Sequence, residues 1–379
     1  MINLLESKLS SSHTSIEIHM QDLLFRLTFD SITMSTFGVD FDSVGNEEQH
    51  SFPRAFDEIS NLCQKRFVDA FYIIKRWFQI GRRERRIREL KKVIDDYAEG
   101  MISQRKVAVS SSHGKIERHN NNNVSNSKQS FYQMDILSRY IDHANRAGVD
   151  IPDEELRDVV MNILLAGRDT TACALSWTWY ELTRHPAVVN KIISEVELIC
   201  GCNENADYSF ENINKLQYTH CVALETLRLH PPVAIDPRFT VRDSTLPDGT
   251  NIPAGAGINM CFHASGRSES IWGKDALLFI PERFFHGKEG DDIVRQKDTR
   301  NRKVQEPSPF KFPMFNAGPR MCLGKPLALM NMKLTMAMLL PVFKFNDKKR
   351  HNGEYVFGLV QSMKGDLPLQ ISKRVAMAK

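Results

Sequence analysis

Phe315-Asn316-Ala317-Gly318-Pro319-Arg320-Met321-Cys322-Leu323-Gly324 is the stretch on which the reading of this chain turns. It sets one cysteine on a glycine-rich turn, beside an arginine, directly ahead of an apolar run containing Leu327, Leu329, Met332, Leu334, Met336, Met338 and Leu339. A cysteine so placed offers a thiolate to an iron, and small neighbours let a flat macrocycle come close to the backbone. Thiolate ligation pushes electron density toward oxygen and favours O–O cleavage. The plainer reading is a buried cysteine after a turn, which is the better account of an isolated Cys-x-Gly. Here Phe315, Gly318, Arg320 and Gly324 surround Cys322 at the spacing Phe-x-x-Gly-x-Arg-x-Cys-x-Gly, which chance explains poorly.

The composition bounds what can be built around that loop. With 379 residues, 42% hydrophobic and 25% charged, the chain is a soluble, core-forming globular protein by composition. A net charge of +4 is small for this length and implies no nucleic-acid partner. The seven cysteines are odd in number and scattered, without a Cys-x-x-Cys pair, which argues for reduced thiols in a cytosol-facing protein. Cys200-Gly201-Cys202 has nothing at ligand spacing to complete a metal site. No segment carries the roughly 18 uninterrupted apolar residues of a spanning helix. The first residues lack the basic and apolar regions of a secretory signal, so the chain is expected to be neither exported nor membrane-spanning.

Outward from the loop, periodicity places mostly helices. Ile16, Ile18, Leu23, Leu24, Leu27, Phe29 and Ile32 recur at mixed steps that favour helix across the first forty residues, with a stop at Gly38. A second helical block runs from Ser51 to Phe67, and a turn-like patch near Gly81 precedes a third from Arg82 to Lys106. The third block is rich in arginine, with Ile87, Leu90, Val93, Ile94 and Tyr97 as a stripe to bury. A solvated face is the favoured reading of it, peripheral membrane contact the other. Residues 107–130 are nearly devoid of apolar content and are expected to be a disordered surface loop within one domain spanning 1–379. Gly287 to Ser308 reads as a charged surface meander, and Tyr355 to Lys373 as a final hairpin turning at Gly365-Asp366.

Two helices carry residues that composition does not explain. Pro152, Asp153, Glu154 and Glu155 open a helix of over thirty residues that reaches His185-Pro186. In its middle stands Ala166-Gly167-Arg168-Asp169-Thr170-Thr171, where Gly alone costs about 1 kcal/mol against Ala. Either this is a packing notch with an incidental Asp-Thr, or the small pair, the acid and the hydroxyl serve a local purpose. Further on, Phe210 to His230 reads as a helix stopped by Pro231-Pro232, and it bears Glu225-Thr226-Leu227-Arg228. Glu225 and Arg228 share a face, and their apolar neighbours favour burial, where a pair is held for geometry. Short apolar runs between turn residues, from Phe239 to Met260, form the strand-like part. The fold class is mainly α with a small β-sheet region.

The cysteine loop, the Ala166-to-Thr171 stretch, Glu225-x-x-Arg228 and Phe279-Ile280-Pro281-Glu282-Arg283-Phe284 resemble, in kind and order, the signatures of the cytochrome P450 superfamily. The wording of Ala166 to Thr171, Arg267 to Gly273 and Asn316 to Arg320 is most similar to plant fatty-acid ω-hydroxylases. The resemblance implies a haem b ligated by Cys322, with Phe315, Gly318, Arg320 and Gly324 shaping its loop. It implies Arg238 on a haem propionate, Ala166 and Gly167 making room for dioxygen, and Asp169 with Thr170 delivering protons. Glu225, Arg228 and Arg283 would form an Arg–Glu–Arg lock beneath the loop. It further implies hydroxylation of a long-chain fatty acid, electrons from an NADPH-dependent cytochrome reductase, and the cytosolic face of the endoplasmic reticulum membrane. The family's membrane anchor, first strands and first helices are not recognisable ahead of Met1, so a truncated chain is expected. An inactive haem protein, an isomerase-type relative or a non-enzymatic fragment are the alternatives.

Overall fold

The computed structural model describes residues 1–10, 15–46, 50–66, 69–118, 135–201, 205–285, 304–356 and 358–374. They gather into two compact units, one of residue 1 and 25–169, the other of residues 2–24 and 170–379. The structure is mainly helical with small antiparallel sheets, in line with the expected class.

The first unit holds most of helix Met20–Phe37, then helices Ser51–Gln64, Tyr72–Phe78, Arg82–Arg118 and Ile136–Ala147, and the first half of Asp153–Arg184. Gly38 ends the first helix as expected, at φ 62°, with its N–H donating to Met34 O at 2.9 Å. Asp135 caps the fifth helix by accepting the Ser138 N–H at 2.7 Å, and Gly148 closes it in the left-handed region. The core is aromatic: Phe52 stacks on Phe41 at 5.7 Å and on Tyr97 at 4.7 Å, and Phe29 packs beside Phe52 and Phe56. On the arginine-rich helix Ile87, Leu90 and Ile94 are buried, while Arg82, Arg85, Arg86, Arg88, Lys91 and Lys92 face solvent. Glu84 is the exception, buried against Arg66.

Two expectations need correction here. The helix continues through Arg118, so the first part of the presumed loop is helical, with Val109 buried. An established helix gains one hydrogen bond for each residue it adds, and nothing from Val107 to Val109 stops it; residues 119–130 lie outside the described residues. Helix Tyr72–Phe78 was not expected, because its apolar side chains are exposed and leave no buried stripe to read.

In the second unit Ile16–His19 is a strand, not helix. It pairs antiparallel with one edge of Pro368–Lys373, and Phe343–Asn346 pairs with the other. Leu369 and Ile371 alternate into the core and Ile18 joins them, which is period two rather than 3.6. The tail is therefore not one hairpin. Tyr355–Val356 pairs with Ser362–Met363, and the chain then turns at Gly365 and Asp366, both at positive φ, into the other sheet. Two-residue strands offer no apolar face against which Leu369 and Ile371 could be buried. The presumed Phe210–His230 helix is two, Phe210–Lys215 and Gln217–Leu229, broken at Leu216. Of the presumed meander, residues 287–303 lie outside the described residues, as does Cys202.

Helix Gln217–Leu229 runs through the densest part of this unit, with every residue from Tyr218 to Leu229 buried except His220. Its first turn lacks a side-chain cap of its own. Buried Glu195, from helix Pro186–Ile199, takes that role by accepting the N–H groups of Tyr218 at 2.7 Å and Thr219 at 2.8 Å. Helix Lys325–Leu339 packs alongside, burying Leu329, Met332, Met336 and Leu339, so the methionine-rich stretch is core.

Candidate active site

The cysteine loop is shaped by backbone conformation before any side chain acts. Pro313–Phe315 forms one 3₁₀ turn and Gly318–Arg320 another. Asn316 at φ 59° and Gly318 at φ 61° reverse the chain between them, in a region that favours glycine. The Cys322 N–H then donates to Phe315 O at 2.7 Å, which pins the cysteine across the loop from the phenylalanine. Gly324 ends the loop as the N-cap of helix Lys325–Leu339. Cys322 is an exposed free thiol. A Cβ on Gly324 would stand 3.9 Å from its sulfur, and one on Gly318 would meet nothing within 4 Å. Arg320 is exposed, and Phe315 is half-buried with Lys325 Nζ 5.7 Å from its ring centre.

Glu225, Arg228 and Arg283 are brought together. Glu225 and Arg228 are wholly buried, paired through Nε–Oε2 at 2.7 Å and Nη2–Oε1 at 2.8 Å. Arg283 adds its Nε to Oε1 at 2.9 Å, and the Ile280 N–H donates to the same oxygen at 2.7 Å. The remaining guanidinium protons go to carbonyls: Arg228 to Gly266, Ala276 and Leu278, and Arg283 to Asp275. An aromatic cluster leads from the lock to the cysteine loop. Trp272 lies under the Arg228 guanidinium at 5.2 Å, and Phe312, next to the first turn of the loop, packs on Trp272 at 6.3 Å and on Phe284 at 5.9 Å.

Arg238 stands on strand Ile235–Phe239, paired antiparallel with Gly257–Cys261. It is bonded to Asp236 and turned toward the loop, with Nη2 3.4 Å from Asn316 Oδ1.

In the first unit Ala166 is exposed and Gly167 half-buried. A Cβ on Gly167 would come within 2.6 Å of Ile32 Cδ1, so the space left by this glycine is used for helix packing. Asp169 is buried, and burial raises its carboxyl above the ordinary range while the Arg168 charge opposes the rise. Thr170 follows it on the same helix, half-buried.

Sequence reasoning passed over Phe312, gave Trp272 and Asn316 no role of their own within the stretches that contain them, and also passed over Glu306. Its carboxylate accepts from His220 Nε2 at 3.1 Å and from Lys325 Nζ at 2.5 Å, tying the start of the post-cysteine helix to helix Gln217–Leu229. No motif marks it; only the fold brings these groups together. The hydrogen bond from His220, with that from Lys325, pulls the Glu306 carboxyl down to about 2. A lowered folded value stabilises the fold above the ordinary carboxylate range, and that contribution is lost as pH falls toward 2. Glu306→Gln should therefore flatten the acid limb of stability between about pH 5 and pH 2, measured by thermal melting in buffers across that range. An acid limb as steep as the wild type's would exclude this role.

The comparisons with known proteins agree with the motifs. The cytochrome P450 family model matches residues 1–367. Cytochrome P450 704C1 of Pinus taeda is 34% identical over 382 residues, covering 95% of this chain and 68% of that protein. Cytochrome P450 704B1 of Arabidopsis thaliana is 34% identical, covering 94% of this chain and 70% of its own length. Cytochrome P450 94A2 of Vicia sativa is 31% identical, at 97% and 66%. With a thiol presented on a glycine turn, a buried Arg–Glu–Arg lock joined to that turn by aromatics, and this match along nearly its whole length, the chain belongs to the cytochrome P450 family, the haem-thiolate monooxygenases.

Proposed function

We propose that this chain is a monooxygenase that inserts one oxygen atom into the terminal C–H bond of a long-chain fatty acid or a similar lipophilic molecule. The observation that carries the reading is the exposed Cys322 thiol, held by its amide to Phe315 O and left uncovered at Gly318 and Gly324. That donor chemistry and those bare glycine positions fit a haem b approached from the sulfur side. Bound through a thiolate, haem supplies dioxygen activation and O–O cleavage.

The chain's own residues do the rest. Cys322 would hold the haem iron through its sulfur, with Phe315, Gly318, Arg320 and Gly324 setting the loop that presents it. Arg238, whose fork matches a carboxylate, is the group for a propionate. Ala166 and Gly167 leave the small surface needed for dioxygen. Asp169 holds a proton and Thr170 passes it on, directly or through one water. Glu225, Arg228 and Arg283 keep the aromatic cluster beneath the loop in place. The fatty-acid assignment is supported by the wording around these motifs, which resembles plant ω-hydroxylases.

Electrons are proposed to come from NADPH through a cytochrome reductase, at the cytosolic face of the endoplasmic reticulum. Among the described residues no helix is long and apolar enough to cross a membrane. Helix Tyr72–Phe78 instead supports peripheral contact. Ile73, Ile74, Trp77 and Phe78 are all exposed, at 62%, 53%, 81% and 67%. Arg82, Arg85 and Arg88 are exposed in the next helix, and such a combination suits an anionic lipid surface.

Each part has its measurement. The reduced, CO-bound protein should show a Soret band shifted well to the red, and Cys322→Ala should abolish it; an unchanged spectrum refutes the ligand. Thr170→Ala should lower product formed per NADPH consumed several-fold while reductant use continues. Unaltered coupling would remove Thr170 from proton delivery. Trp77→Ser should weaken co-sedimentation with anionic lipid vesicles, and equal sedimentation would remove this helix from the contact.

A further inference from the structure

One guanidinium in the first unit stands between two carboxylates. Arg168 is buried, its Cζ 5.6, 5.4 and 5.6 Å from the ring centres of Phe25, Phe29 and Phe56. Its Nη1 makes a close ion pair with Asp57, on helix Ser51–Gln64, whereas Oδ1 of Asp169 stands 3.4 Å from the same nitrogen. Among the described residues, Asp169 Oδ1 and Arg168 Nε are buried without a hydrogen-bond partner. The two acids differ in setting: the Asp57 side chain is 35% exposed and that of Asp169 only 9%.

One cation facing two carboxylates leaves a net negative charge inside an aromatic-walled site. Desolvation penalises that charge, and the penalty falls on the more buried acid. The cation is already committed to Asp57 by the shorter contact. We propose that Asp57 is a positioning residue for the proton on Asp169: by engaging Arg168 it withholds that cation, so that Asp169 is kept as the neutral acid with a proton to give. This rests on the reading of Asp169 as a proton donor. The charged groups acting on Asp169 are Arg168 from its own helix and Asp57 from the facing one. Burial raises the Asp169 carboxyl, Arg168 lowers it and Asp57 raises it, in the sense the geometry requires. The transfer moves one proton from Asp169 and no electrons, and the proton is replaced from solvent. Neutralising Asp57 returns the whole charge of Arg168 to Asp169 and favours the carboxylate.

The test is an infrared titration of the holoenzyme. The carboxylic-acid band that disappears in Asp169→Asn identifies the group, and its midpoint is followed against pH. Asp57→Asn, which keeps the shape, should move that midpoint to lower pH by about one pH unit or more, and Asp57→Glu should leave it near the wild-type position. Product formed per NADPH should shift along the pH axis in parallel. Should Asp57→Asn not fold, Asp57→Ser carries the same measurement. An unmoved midpoint overturns the proposal, as does the absence of any Asp169-dependent acid band in the folded wild type. A moved midpoint with unaltered coupling in Asp169→Asn upholds the control by Asp57 and removes Asp169 from the reaction instead.

Discussion

The buried carboxylate of Glu225 is the constraint to which the rest of the candidate site is tied. It accepts from Arg228, from Arg283 and from the Ile280 amide, with no exposure of its own. Two guanidiniums against one carboxylate would be a poor exchange for hydration if nothing else met their protons. Here the carbonyls of Gly266, Ala276, Leu278 and Asp275 meet them, and those carbonyls belong to a segment with little regular structure. The charges thus give shape to backbone that no ladder of helix or sheet bonds holds. Fixing 266–284 fixes Trp272 and Phe284, and these in turn seat Phe312 at the entrance to the cysteine loop.

This dependence explains which features were legible in the sequence. Cys322, Glu225, Arg228 and Arg283 sit in short patterns of fixed spacing, because a loop or one helical turn sets their relation locally. Phe312 and Glu306 carry no pattern, since Trp272 and His220 stand 40 and 86 residues from them and meet them only through the fold. The long helix from Asp153 was readable from its acidic first turn and its length. Ile16 and Ile18 were misread because two apolar residues at a spacing of two fit a frayed helix as well as a strand. Only their partners, Ile371 and Leu369, decide between them. The helix through Arg118 was missed for the opposite reason: composition forecast disorder, while the preceding turns carry the helix onward.

The Ala166-to-Thr171 stretch mixes both cases. Its small residues and its acid were visible, but not the division of labour among them. Gly167 lies against Ile32, whose Cδ1 a Cβ there would approach to 2.6 Å. Arg168, which pattern alone passes over, occupies a cage of three phenylalanines between two acids and engages Asp57 by the shorter contact. A motif position without an assigned role can therefore govern the electrostatics of its neighbour.

The strand Pro368–Lys373 has a consequence for how this protein comes into being. It is the middle strand of its sheet, and its partner Ile16–His19 lies near the other end of the numbering, with Gln370 bonded to Ser15 at a separation of 355 residues. Pairing over such a separation is slow, because loop closure must precede any gain from contact. Ile18 leaves the ribosome well before Leu369, so its strand has no ladder partner until that later segment is made. As the middle strand, Pro368–Lys373 is needed before this sheet can form, so a nascent polypeptide that stops short of Leu369 leaves unpaired apolar strands of the kind chaperones recognise.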